Sequence, residues 1–315
     1  MSTMSAARIE GTYTALVTPF RGDLAIDWAA FDALVERQIA GGVKGLVPCG
    51  TTGESPTLSH DEHRAVVARA VKVAKGRAVV LAGAGSNSTQ EAIGLALASE
   101  SAGADAVMVV VPYYNKPTQD GLVAHFVAVA KSVKCPVVIY NIPGRSGVDL
   151  LPDAMGRIVD AAPNVVGTKE ATGNVLRAQE LVRRFGDRLT VMCGDDTLTL
   201  PMVAVGARGV ISVTSNLLPG PVSRATELAL TGDRETALRA HQALVPVHEA
   251  MFLESNPGPV KAALAMRELM QDTVRGPLVA ASKKTREALS AVLATYDQDG
   301  ASAPGAARST LGERH

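Results

Sequence analysis

The stretch Val165-Val166-Gly167-Thr168-Lys169-Glu170 sets a lysine near the end of an apolar run. Its β-branched residues and glycine, with no polar alternation, predict a strand buried on both faces. The amine at its end then faces either solvent or an enclosed pocket. An ammonium carried into an apolar cavity loses hydration and gives up its proton more readily, and the neutral amine condenses with a ketone. A surface lysine at a strand end is the plainer alternative, so the other polar stretches decide. Gly50-Thr51-Thr52-Gly53-Glu54 brackets two hydroxyls with glycines, which lets backbone N–H groups and side-chain oxygens converge on a small anion such as an oxo-acid carboxylate. A polar turn with a helix cap would read the same way. Three of the five tyrosines, Tyr113, Tyr114 and Tyr140, fall in two segments, Pro112 to Pro117 and Tyr140 to Gly147. Phenols grouped at one mouth can relay protons. Arg145 on a Pro-Gly turn offers a planar fork for a carboxylate, or is a solvated surface arginine.

These residues need a scaffold that brings strand ends together. Eight apolar runs, Tyr13–Val17, Gly45–Cys49, Ala78–Ala82, Ala106–Val111, Val137–Tyr140, Val165–Lys169, Leu189–Cys193 and Gly209–Val213, begin 20 to 33 residues apart. That spacing leaves room for a crossover helix and two loops each time. Helical periodicity lies between them, as in Trp28, Phe31, Leu34, Val35 and Ile39. Ala40 to Val47, Ala102 to Met108 and Val205 to Ile211 repeat one pattern, a helix closed by glycine followed by a strand. The expected fold is α/β, a (β/α)8 TIM barrel over residues 11–232. An open doubly wound sheet is disfavoured because Thr18-Pro19-Phe20-Arg21, after the first run, is no glycine-rich phosphate loop.

After Pro221 the strands stop. Helical patterns at Val222–Leu230, Arg234–Leu253, Gly258–Met270 and Leu278–Ala294 predict a C-terminal helical appendage, residues 233–296, packed on the barrel or on a second subunit. Residues 297–315 turn to Gly, Ala, Ser, Pro and charge and read as a disordered tail.

Composition narrows the partners. The chain has 315 residues, 47% of them hydrophobic, enough for a large core. Lys+Arg and Asp+Glu are both 31, so no basic excess points to nucleic acid or an anionic membrane. A small-molecule substrate is expected. Cys49, Cys135 and Cys193 are widely spaced and read as reduced core thiols. With no signal-like segment at the start and no run near the ~20 apolar residues of a membrane span, a cytoplasmic protein is expected. Glu54, Glu170, Asp195 and Asp196 follow strands and offer oxygen ligands for magnesium in a rival metal-dependent lyase, though caps or charge partners explain them more simply. A sensor without catalysis is a further rival, set against the lysine, tyrosine and threonine set.

Taken together, Gly50 through Glu54, Tyr140 through Gly147 and Lys169-Glu170-Ala171-Thr172-Gly173 resemble the pyruvate-dependent class I aldolases of the dihydrodipicolinate synthase and N-acetylneuraminate lyase family, over about Gly11 to Ala294. The resemblance implies that Lys169 forms a Schiff base with pyruvate and that Tyr140 passes protons. Thr52 and Tyr114 complete the relay, with Tyr114 lent by a neighbouring subunit of a homotetramer or homodimer. It implies that Thr51, Thr52 and the backbone near Ile211 hold pyruvate, and that Arg145 takes the carboxylate of L-aspartate 4-semialdehyde, on the route to diaminopimelate and lysine. No metal or organic cofactor is implied. A sugar-acid aldolase or dehydratase of the same family is the alternative. Ser55, His60, His63, Asn87, Glu91 and Tyr113 match the family's positions for feedback-inhibiting L-lysine. His60 and His63 also stand at i and i+3, near enough for a shared ligand, although spacing alone fits a solvated helix. Pro56 and Gly144 depart from the alanine and serine often found there.

Overall fold

The computed structural model describes residues 9–302, with side chains through residue 298. Eight parallel strands close into a barrel in chain order, and the last returns to pair with the first. They are β1 Gly11–Ala15, β2 Gly45–Val47, β3 Val79–Gly83, β4 Ala106–Val110, β5 Val137–Asn141, β6 Val165–Glu170, β7 Thr190–Cys193 and β8 Gly209–Ser212. The crossovers carry α1 Trp28–Ala40, α2 His60–Ala74, α3 Thr89–Ser101, α4 Gln119–Ser132, a single turn α5 Pro143–Ser146, α6 Pro152–Ala161, α7 Val175–Phe185 and α8 Thr199–Ala204. Then α9 Pro219–Thr231 follows β8. This is the (β/α)8 barrel expected. β1 begins two residues earlier than its apolar run because Gly11 pairs with Gly209 at the closure.

Strands covered on both faces must be apolar on both, which is why they read as unbroken runs rather than alternating ones. Inward side chains of Tyr13, Val47, Leu81, Met108, Val138, Tyr140, Met192 and Ile211 fill the barrel as one cluster. The fit requires a glycine at position 45. A Cβ there would stand 2.1 Å from the Tyr13 ring.

Three further helices, α10 Arg234–Ala250, α11 Gly258–Met266 and α12 Lys283–Ser302, form the appendage. Val247, Met251, Val260, Leu264, Leu289 and Leu293 share one buried cluster with Leu16, Phe20, Phe31 and Val67, so the appendage packs on the barrel's own first helices. Its helix bounds differ from the periodicity. The segment expected to be helical from Leu278 is irregular up to Ser282, which caps the next helix through Thr285 N. The backbone turns out of α11 after Met266, with Glu268 left-handed, so that helix stops short of Met270. At the far end α12 runs on through Asp297 to Ser302, past the expected start of the tail, and residues 303–315 lie outside the described residues. Among the described residues no helix is long and apolar enough to cross a membrane.

Candidate active site at the barrel mouth

Active sites of this architecture gather at the carboxyl ends of the strands. Register decides who meets there. Tyr140 on β5 is paired directly with Lys169 on β6, so both side chains leave the sheet at one level on the inner face. Lys169 is 5% exposed, and its Nζ lies 4.3 Å from the centroid of the Tyr140 ring. Among the described residues that amine has no hydrogen-bond or ion-pair partner.

Thr51 and Thr52 sit in a tight turn after β2, in which Gly53 N and Glu54 N donate to Gly50 O and Thr51 O at 3.1 Å. Cys49 and Glu54, at its two ends, hold left-handed backbone angles that non-glycine residues seldom adopt. Side-chain contacts hold it there. Glu54 forms an ion pair with Lys261 in which both side chains are 0% exposed, and its Oε2 accepts from Arg275 N at 2.9 Å. Thr52 Oγ1 accepts from Asn256 Nδ2 at 2.9 Å. Ile211 is buried on β8 beside Tyr13.

Arg145 rides on α5 and lines the cavity, and among the described residues its guanidinium has no carboxylate partner. Its loop is pinned beneath. Asn141 accepts from Leu150 N and donates to Asp149 Oδ1 at 2.8 Å, and Arg177 grips Asp149 with two bonds of 3.0 and 2.9 Å.

A cavity of about 330 Å³ opens here. Thr51, Tyr140 and Arg145 line it, as do Ser55, His60, His63, Glu91 and Tyr113. Lys169 does not line it. Tyr140 is the residue that amine and cavity share. Among the residues expected to hold an effector, His60 Nε2 lies 2.8 Å from Glu91 Oε1, and Glu91 also accepts from Ser86 Oγ. Those two bonds, Ser86 first, hold the Glu91 carboxyl below its usual range. Asn87 is half-buried, contributes its backbone oxygen to Asn115 Nδ2, and is not on the cavity wall.

His60 and His63 both line the cavity, and His63 bonds Gly83 O through Nε2 at 2.7 Å, while burial lowers its pKa. A backbone carbonyl made available at the end of β3 captures the ring. Within one chain, Thr52, Tyr140 and Tyr114 are not hydrogen-bonded to one another. Tyr114 has φ of 72° and is 88% exposed, so its own barrel gives it nothing to pack against.

The four acidic residues considered as metal ligands point to separate partners. Glu54 meets Lys261; Glu170 accepts from Thr172 N and Asn141 Nδ2; Asp195 takes Thr197; and Asp196 Oδ2 caps Val213 N and Thr214 N. Burial raises the pKa of the Glu170 carboxyl. Asn256, Lys261 and Ser86 had no signal along the chain, because each matters only through a partner remote from it or masked by an ordinary turn.

The chain matches the Dihydrodipicolinate synthetase family over residues 8–296. It is 58% identical, over 285 residues covering 90% of this chain and 95% of the relative, to a 4-hydroxy-tetrahydrodipicolinate synthase of Sorangium cellulosum. Its backbone is similar to the synthase of the thermoacidophilic methanotroph Methylacidiphilum fumariolicum SolV, with TM-score 0.92, 44% identity and coverage of 93% and 98% of the two chains. It is also similar to the chloride-inhibited dihydrodipicolinate synthase of Acinetobacter baumannii complexed with pyruvate (TM-score 0.90, 41% identity, 92% and 99% covered). A DHDPS of Cyanidioschyzon merolae with lysine bound aligns at TM-score 0.88 and 34% identity, with 91% and 98% covered.

Proposed function

The chain belongs to the dihydrodipicolinate synthetase family, and on that premise we propose that it is a Schiff-base lyase condensing pyruvate with L-aspartate 4-semialdehyde to 4-hydroxy-tetrahydrodipicolinate. The observation that carries this reading is the buried, unpartnered amine of Lys169 against the Tyr140 ring. Lys169 adds to the ketone of pyruvate, and the carbinolamine loses water to give an imine. Tyr140 passes the protons that this exchange requires. Loss of a methyl proton then yields an enamine, whose carbon attacks the aldehyde of the second substrate. The amine of that substrate closes on the imine carbon, and Lys169 leaves with its amine restored.

Thr51 and Thr52, with the backbone near Ile211, hold the pyruvate carboxyl. Arg145 takes the semialdehyde carboxylate, a role favoured by a guanidinium that faces the cavity without an internal anion. Thr52 and Tyr114 extend the proton path, with Tyr114 supplied by a second copy in a homodimer or homotetramer. Its exposure and left-handed backbone favour such a loan. The chemistry is assigned to side chains alone, without metal or organic cofactor.

L-Lysine is the proposed effector, held by Ser55, His60, His63, Asn87, Glu91 and Tyr113. The anionic Glu91 suits an ammonium, and the relative from C. merolae is one with lysine bound. Product formation from pyruvate with L-aspartate 4-semialdehyde, compared with pyruvate and N-acetylmannosamine, tests the substrate. Borohydride with pyruvate on the same sample should leave a reduced adduct on Lys169. An unmodified lysine and full activity in Lys169→Ala would sink the assignment.

A further inference from the structure

Asn256 stands in the turn between α10 and α11, at 6% exposure, and its Nδ2 reaches the Oγ1 of Thr52, itself 3% exposed. A threonine hydroxyl has one proton and two acceptor lone pairs. When the amide fills one lone pair, the hydroxyl proton must go elsewhere. Thr52 Oγ1 has no other hydrogen-bond partner among the described residues, so that proton remains for a phenol or bound substrate. The appendage also clamps the same turn through Lys261 on Glu54 and Arg275 N on Glu54.

We propose that Asn256 is a positioning residue for the Schiff-base reaction: its amide fills one lone pair of the Thr52 hydroxyl and keeps that hydroxyl's proton off itself, so that Thr52 has one proton and one lone pair left for the relay. This rests on Thr52 being a relay member, as argued above. It gives the C-terminal appendage a part in the chemistry beyond packing, since the turn between α10 and α11 supplies the group that holds the Thr52 hydroxyl.

The test replaces the amide by a group of the same shape and opposite polarity. In Asn256→Asp the carboxylate only accepts, so it draws the Thr52 proton away from the mouth; once protonated, it donates as the amide does. The full-length variant should lose about tenfold or more in kcat near neutral pH, with KM for pyruvate within about threefold, and the deficit should shrink as the pH is lowered. Other ionisable groups nearby leave this readout clean. Glu54 and Lys261 pair with each other, Glu254 is held by Ser282 and Thr285, and Lys169 and Tyr140 are common to both proteins and cancel in the ratio. Asn256→Ala should show a loss that does not recover in acid.

If Asn256→Asp has the wild-type kcat, or a deficit that is the same at every pH, the proposal fails. That would also be the result if the carbonyl end of the amide faced Thr52. Should Asn256→Asp fail to fold by thermal melting, Asn256→Ala decides, and an unchanged kcat there overturns the inference. Borohydride trapping separates the two readings. A wild-type protein that neither traps pyruvate nor turns over defeats the Schiff-base function itself, whereas one that does both while the Asn256 variants match it defeats only the role given to Asn256.

Discussion

Arg145 stands at the cavity with its neighbours' charges already committed elsewhere: Arg177 is tied to Asp149, and Asp149 to Asn141. A free guanidinium on a pinned loop is set to meet a carboxylate that arrives with substrate. Arg145→Ala should lower kcat/KM for the semialdehyde about a hundredfold while KM for pyruvate moves by less than about threefold, read from initial rates with each substrate varied. An equal loss for both substrates would place Arg145 in the fold rather than in recognition. At this scale the sequence was readable wherever chemistry depends on residue type. Lys169, Tyr140 and Arg145 could be picked out as an amine, a phenol and a guanidinium at or just after strand ends, with a surface reading left open for the lysine and the arginine taken singly. Asn256 could not, because an amide before a proline reads as any turn.

The element that most depends on distant support is the turn from Gly50 to Glu54 with the start of α2 behind it. Ser59 and Glu62 close the first turn of α2 reciprocally, and Glu62 is gripped by Arg275 at 2.6 and 2.8 Å. That bond to Arg275 is the main reason the Glu62 pKa lies at about 2 instead of 4.5. A carboxyl with a depressed folded pKa stabilises fully above its unfolded value, and that contribution is lost as pH falls from 4.5 through about 2. Glu62→Gln should therefore lower the urea midpoint at pH 7 and leave a shallower acid limb below pH ~4.5. Under the same turn, removing one partner of the buried Lys261–Glu54 pair strands the other charge. Lys261→Met should cost about 3–5 kcal/mol in urea unfolding, and the double variant with Glu54→Gln should recover part of it. If the double variant is as unstable as the sum of the singles, the pair is not the cause.

Across the whole molecule, buried histidines set an acid limit. His63, His241 and His248 have lowered pKa values, and that of His125 falls to about 4, burial being the first cause in each case. The unfolded chain then binds more protons than the folded one below pH 6.5, so the unfolding free energy should fall as pH drops from 6.5 toward 4. His125→Gln should flatten part of that slope in urea titrations. The proposed loan of Tyr114 between copies of the chain belongs to this scale too. Coexpressed Lys169→Ala and Tyr114→Ala chains should form mixed oligomers that regain turnover neither has alone. Activity no greater than the sum of the separate variants would mean that each barrel uses its own Tyr114.

What the amino-acid order determined by itself was local and repeating: the unbroken apolar runs, the glycines that end helices before them, and hence eight strands closing with helices outside. Periodicity survives in the folded protein because strands covered on both faces admit only apolar side chains. The level at which Lys169 meets Tyr140, the turning of His63 onto Gly83, and the hold of the appendage on the turn from Gly50 to Glu54 were decided by tertiary structure. Those last bonds join residues 204, 207 and 221 positions apart, so their partners are chosen by where helices dock and not by anything spaced along the chain.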